Sequence, residues 1–63
     1  MLIFRFTFRE SLDSETITDT IKAHDYEQAQ ERLCDAWEIP PHKIISAHYR
    51  KANKPLQKWK PCF

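Results

Sequence analysis

Residues 2–9 alternate between large apolar side chains and a mixed set of Ile, Arg and Thr. Successive side chains of a β-strand point to opposite faces of the sheet, and aromatic residues are frequent in strands. The alternation therefore predicts a half-buried strand. One face would carry Leu2, Phe4, Phe6 and Phe8, and the other Ile3, Arg5, Thr7 and Arg9.

A second alternating segment covers residues 16–23 and predicts a strand antiparallel to the first. The chain has no glycine, so residues 10–15 are expected to form a longer loop rather than a two-residue hairpin turn. Asp19 falls in the apolar phase of this strand. Because a buried carboxylate is costly without a partner, we expect Asp19 at a sheet edge, beside a basic group or at a bulge.

The segment from Asp25 to Glu38 has no Gly or Pro and predicts a helix. Asp25 is a favourable N-cap, and Gln28 follows at the spacing of a capping box. Pro40 and Pro41 end the helix. A stripe at the helical repeat would be buried; it consists of Tyr26, Ala29, Leu33, Ala36 and Trp37.

Residues 43–51 predict a third strand, with Ile45, Ala47 and Tyr49 as the inward set. The adjacent pair Ile44 and Ile45 leaves the phase open by one residue, which would exchange the two faces. Residues 52–63 are polar and contain prolines. They either pack as a short fourth strand around residues 57–60 or extend as a tail.

These elements predict an α+β fold, with a three-stranded antiparallel sheet in the order of elements β-β-α-β and one helix on one face. Residues 1–51 would form the ββαβ domain, and residues 52–63 a basic C-terminal segment packed on the sheet or extending it. The expected core is Phe4, Phe6, Ile17, Ile21, Leu33, Trp37 and Ile45.

Charge is sorted along the 63-residue chain. All nine carboxylates precede residue 39, whereas six of the ten Lys and Arg residues, and no acid, follow residue 41. Such a charge distribution indicates what kind of partner a protein binds, and it says little about the fold. With no catalytic signature beside it, the pattern indicates a protein that binds.

The first candidate site is a row of helix acids: Glu27, Glu31, Asp35 and Glu38. Like charges one turn apart repel weakly, and acids near the C-terminal end oppose the helix dipole. The row would face the basic surface of a partner protein. The alternative is an ordinary solvated helix face.

The second candidate is the basic, aromatic C-terminal third, which would bind DNA or RNA because phosphates attract cations and bases stack on rings. Alternatively, its cations discourage aggregation of edge strands. The residues are Lys43, Arg50, Lys51, Lys54, Lys58, Trp59 and Lys60.

A third candidate is the sheet face opposite the helix, cationic and rich in hydroxyls, which would contact phosphate or simply face water. It comprises Ile3, Arg5, Thr7, Arg9, Thr16, Thr18, Thr20 and Lys22.

Metal and catalytic chemistry find little support. The His and Cys residues lack metal-ligand spacing, and a glycine-rich phosphate loop cannot form without glycine. We expect no metal, no cofactor and no enzymatic activity.

No apolar run reaches the length of a membrane span, and no signal peptide is recognisable. The expectation is a cytoplasmic protein with Cys34 and Cys62 as free thiols.

The stretch TIKAHDYEQAQERL, residues 20–33, resembles the strand, acidic N-cap and helix of small ββαβ proteins from phages and mobile elements. Some anti-CRISPR and other host-defence inhibitors share this layout. The resemblance implies an inhibitor that docks on a host protein or ribonucleoprotein and blocks a nucleic-acid site; it assigns no functional residues. The alternatives are direct nucleic-acid binding and a homodimer joined through Leu56, Trp59 and Phe63.

Overall fold

A four-stranded antiparallel sheet with one helix across one face makes up the fold in the computed structural model, which describes residues 1–63. The elements are β1 (Leu2–Phe8), β2 (Ile17–Ala23), α1 (Tyr26–Trp37), a 3₁₀ turn (Pro41–Lys43), β3 (Ile44–Lys51) and β4 (Lys60–Pro61). The strand order is β2-β1-β3-β4. The predicted α+β fold is therefore confirmed. Of the two alternatives for residues 52–63 the structure shows the short fourth strand, which overlaps the predicted residues 57–60 at Lys60.

The central strand β1 determines which side chains face the helix. Phe4 lies opposite Ile21 of β2 and Tyr49 of β3, and Phe6 lies between Asp19 and Ala47 in the same way. Because directly opposed residues of antiparallel strands project to the same side, these positions form the helix-covered face. The intervening residues form the other face, which no element covers.

Aromatic rings and small residues share the core. Three phenylalanines of β1 are almost fully buried, and the ring of Tyr26 lies 6.3 Å from that of Phe4 and 5.9 Å from that of Phe6. Alanine at the facing positions leaves room for these large rings against α1. The buried set is Phe4, Phe6, Phe8, Ala23, Ala29, Leu33, Ile39 and Ala47.

The predicted core position of Ile45 is wrong. The β1–β3 register shifts between Thr7 and Phe8, so that Thr7 pairs with Ser46 but Phe8 pairs with Ile44. Ile45 is the extra residue of this bulge, and the residue is 47 % exposed. Ile44 packs against the core instead.

Trp37 also lies at the rim rather than in the core as predicted. Its ring packs edge-on against Phe8, with 5.2 Å between ring centroids, yet 37 % of the residue remains exposed. Trp37 is the last residue of α1 and lies over the edge strand β2, so no further strand covers the outer side of the indole.

Both ends of α1 are capped by their own residues. Asp25 accepts a 2.8 Å hydrogen bond from the Gln28 amide, and the Gln28 side chain accepts one from the His24 amide. At the other end Glu38 is left-handed, with φ 54°, and the Ile39 amide donates to the Cys34 carbonyl at 3.2 Å. This Schellman-type ending turns Ile39 back into the core.

Candidate functional site

The uncovered face of the sheet is built from alternate residues of three strands. Arg5 is central, with Thr20 on one side and His48 on the other, and Ile3 lies between Lys22 and Arg50. None of the residues of this open face is a carboxylate. Its members are Ile3, Arg5, Thr7, Thr18, Thr20, Lys22, Ser46, His48 and Arg50.

Trp59 joins the open face from the C-terminal segment. Lys60 pairs with Tyr49 in β4, so the preceding residue, Trp59, falls beside Arg50. The guanidinium carbons of Arg5 and Arg50 lie 4.6 Å and 5.0 Å from the centroid of the indole ring. These distances are typical of cation–π contacts. The two contacts hold the C-terminal segment against the middle of the sheet.

The loop that leads to Trp59 is held by the same arginine. Nη1 of Arg50 donates to the carbonyls of Lys51 and Lys54, at 3.2 Å and 3.4 Å. The Lys51 amide in turn donates a 2.8 Å hydrogen bond to the Gln57 side chain. Trp59 is therefore positioned by two arginines and by a folded loop, and it is partly buried.

The structure divides the basic residues that were predicted to bind nucleic acid. Arg50 and Trp59 meet on the open face, whereas Lys43 lies at the other end of β3 and donates to the Glu10 carbonyl. Lys51 and Lys60 occupy strand positions that face the helix side of the sheet. Lys54 and Lys58 lie in the loop that precedes β4.

Sequence reasoning did not predict that the sheet face opposite the helix and part of the basic C-terminal third form one surface. Arg5 and Lys22 were assigned to the sheet face and Trp59 to the C-terminal third, but β3 and β4 bring them to one surface. The strand order β2-β1-β3-β4 is the missing information.

The predicted row of helix acids is also divided. Glu27, Glu31 and Asp35 line one shallow groove beside Cys34 and Pro41. Glu38 instead borders a second groove, with Trp37 and Lys43 among its neighbours. Its left-handed conformation at the helix end turns it away from the other three.

The acids of α1 and the cations at the centre of the sheet lie on opposite sides of the sheet, whereas Arg32, Lys51 and Lys60 lie on the helix side. The helix carries its acids on one side, and Arg5, Lys22 and Arg50 lie on the other. The hydrogen bonds that basic side chains donate all end on backbone carbonyls rather than on carboxylates. The two charged surfaces thus remain available to partners of opposite charge.

The residues proposed for a dimer contact do not share a surface. Trp59 lies on the open face, whereas Phe63 packs against Tyr26 on the helix side, with 6.0 Å between ring centroids. Leu56 is 98 % exposed in the loop between β3 and β4. A homodimer remains a prediction, without a common apolar patch formed by these three.

The thiols lie on the helix side. Cys34 and Cys62 are both free, and burial raises the pKa of each, with the charge of Asp35 adding to the effect at Cys34. Burial also raises the pKa of Tyr26, to which the neighbouring Cys62 and Cys34 contribute further. Thiols of raised pKa are weak nucleophiles at neutral pH. No three His, Cys, Asp or Glu side chains converge as metal ligands.

No family model, no curated protein and no solved structure matches the chain. The resemblance to small phage ββαβ proteins and anti-CRISPR inhibitors therefore remains a prediction. The single helix is too short and too polar to span a membrane.

Proposed function

We propose that this protein binds nucleic acid through the open face of its sheet. The observation that carries the proposal is the cluster of Arg5, Trp59 and Arg50 on a face without a carboxylate. Cations attract the phosphate backbone, and hydroxyl side chains such as those of Thr and Ser donate hydrogen bonds to phosphate oxygens. An aromatic ring adds a platform for a base.

The magnitude of the electrostatic contribution can be anticipated. Arg5, Lys22 and Arg50 lie on the face, and Arg9 continues its phase just beyond β1. If four phosphates are neutralised, the logarithm of the association constant should fall with the logarithm of salt concentration with a slope of about −3 to −4. Binding would therefore be clear at low salt and weak at high salt.

The test is fluorescence anisotropy of a labelled oligonucleotide at about 50 mM and 200 mM salt. Lys22 is exposed and makes no side-chain hydrogen bond, so Lys22→Gln removes one charge from the face without disturbing Trp59. Lys60→Gln is the matched control, because Lys60 is also exposed but lies in the opposite strand phase.

We expect Lys22→Gln to weaken binding several-fold and to reduce the salt slope by about 1, whereas Lys60→Gln should have little effect. Absence of binding at micromolar protein and low salt would refute the proposal. A larger effect of Lys60→Gln would assign binding to the C-terminal segment instead of the sheet face.

A second candidate function is contact with a basic protein surface through the helix acids. The observation that favours it is the groove lined by Glu27, Glu31 and Asp35, whose carboxylates accept no hydrogen bond from a Lys or Arg. Under this candidate the protein would act as an inhibitor that docks on a host protein or ribonucleoprotein and blocks a nucleic-acid site, which is the function that the resemblance to small phage ββαβ proteins implies.

The two candidates are separated by charge reversal and nuclease. The measurement is a pull-down of a host protein from lysate after nuclease treatment. Replacing the three groove acids by lysine should abolish this capture. The matched control reverses Glu10, Asp13 and Glu15, which carry the same total charge in the β1–β2 loop. Unchanged capture by the groove variant, or equal loss in the loop variant, would exclude the groove as the docking site.

A further inference from the structure

The shape of the cationic side restricts which nucleic acid it can bind. A B-DNA major groove, about 12 Å wide, admits a helix or a two-stranded ribbon. The only α-helix, α1, lies on the far side of the sheet and exposes Glu27, Glu31 and Asp35, which phosphates would repel. The β1–β2 loop carries Glu10, Asp13 and Glu15. The basic β3–β4 loop is folded back on β3 through hydrogen bonds from Arg50 and to Gln57, and is neither a helix nor a two-stranded ribbon.

The open face is formed by strands and by the ring of Trp59, and no helix lies on it. Short hydroxyl side chains lie beside Arg5 on β1 and β2, and two of them, Thr7 and Thr18, contact each other across the strands with 3.4 Å between their oxygens. No element projects from this region into a groove. Such a surface can lie along a strand whose bases are turned toward it.

Trp59 supplies the feature that distinguishes an unpaired strand from a duplex. Its indole is partly exposed and held by Arg5 and Arg50. In a duplex, each base is stacked between its neighbours, whereas an unpaired base can lie on an aromatic ring. His48, beside Arg5 on β3, offers a second flat ring on the same face.

We infer that the ligand of the open face is a single-stranded nucleic acid, with one unpaired base stacked on Trp59 and its phosphates beside Arg5, Lys22 and Arg50. This inference rests on the proposed function. It adds the prediction that a single strand binds more tightly than a duplex. Electrostatics alone would give the opposite order, because a duplex has the denser phosphate charge.

The experiment compares three labelled ligands: an oligothymidylate, a hairpin duplex with the same number of phosphates, and an abasic strand of the same length. We expect the oligothymidylate to bind about tenfold more tightly than the abasic strand, because stacking of a single base accounts for a difference of that size. It should also bind more tightly than the duplex.

Trp59→Leu and Trp59→Phe then test the stacking directly, after circular dichroism and urea unfolding show that each variant is folded. Trp59→Leu should lower the affinity for the oligothymidylate to that for the abasic strand, and Trp59→Phe should retain part of the difference. Affinity for the abasic strand should not change, since no base is present to stack.

The outcomes distinguish failure of single-strand binding from failure of nucleic-acid binding altogether. Duplex binding as tight as that of the oligothymidylate would overturn the inference and leave the proposed function standing. An equal loss for all three ligands in Trp59→Leu would also overturn it, because Trp59 would then only position Arg5 and Arg50. Binding to none of the ligands at low salt would refute the proposed function itself.

Discussion

The indole Nε1 of Trp37 donates a 2.9 Å hydrogen bond to Oδ2 of Asp19, which joins the end of α1 to strand β2. The other oxygen of Asp19 accepts from the Thr20 amide, also at 2.9 Å. This pair explains the carboxylate in the apolar phase of β2. Asp19 lies on an edge strand, as one of the predicted alternatives required, and its partner is an indole rather than a basic group.

Removing either partner of this pair should destabilise the protein modestly. We expect Trp37→Phe to lower the free energy of unfolding by about 1 kcal/mol, through the lost hydrogen bond. Asp19→Ala should have a similar effect, and the double variant should cost less than the sum, because both changes remove one interaction. Urea unfolding measures all three. Strictly additive losses would show that the bond contributes nothing, and Asp13→Asn in the exposed loop serves as the neutral control.

The left-handed Glu38 offers a stabilising substitution. A side chain with a Cβ is unfavourable at φ 54°, and an acid at the helix C-terminus opposes the dipole. Glu38→Gly should therefore raise the free energy of unfolding by about 1 kcal/mol, or the Tm by roughly 4–8 °C. Glu38→Ala keeps the positive φ and removes only the charge, so a gain equal to that of glycine would contradict the conformational explanation.

Alkaline pH should destabilise the protein through its thiols. Burial raises the pKa of Cys34 and Cys62 above the usual 9.0. Above that value the unfolded chain loses protons that the folded chain retains, so stability is complete below about pH 9 and falls as the pH rises through the folded pKa values. Tyr26 adds the same trend above its usual 10.0.

Chemical unfolding in the presence of a reductant, measured across this range, gives the slope of stability against pH. The double variant Cys34→Ala, Cys62→Ala should flatten the slope between pH 9.0 and 10.0, where the thiols titrate first. An unchanged slope would assign the alkaline destabilisation to other groups. A rise in stability over the same range would contradict the direction of the pKa shifts.

The bulge in β3 predicts unequal roles for two adjacent isoleucines. Ile44 packs against the core, whereas Ile45 is 47 % exposed. Ile44→Ala should cost about 1–2 kcal/mol, in proportion to its partial burial, and Ile45→Ala less than about 1 kcal/mol. Thermal or urea unfolding of the two variants provides the comparison. The reverse order of stability would place Ile45 toward the helix, as the sequence pattern had indicated.

Local rules were sufficient wherever a residue's role depends on its near neighbours. The alternation in residues 2–9 predicted the buried face of β1, and Asp25 with Gln28 predicted the start of α1, because both patterns arise from the geometry of one element. The ββαβ layout followed from the same patterns, whereas the short fourth strand was one of two alternatives left open for residues 52–63. These parts of the fold were readable from the chain alone.

Register and strand order decided the rest. The sequence does not show that β3 gains one residue opposite Phe8, so Ile44 and Ile45 exchange the roles that alternation assigns them. Nor does it show that Trp59 meets Arg5, since strand pairing between distant segments places them together. A contact between the two ends of a chain depends on how all intervening elements pack, and only the tertiary structure contains that information.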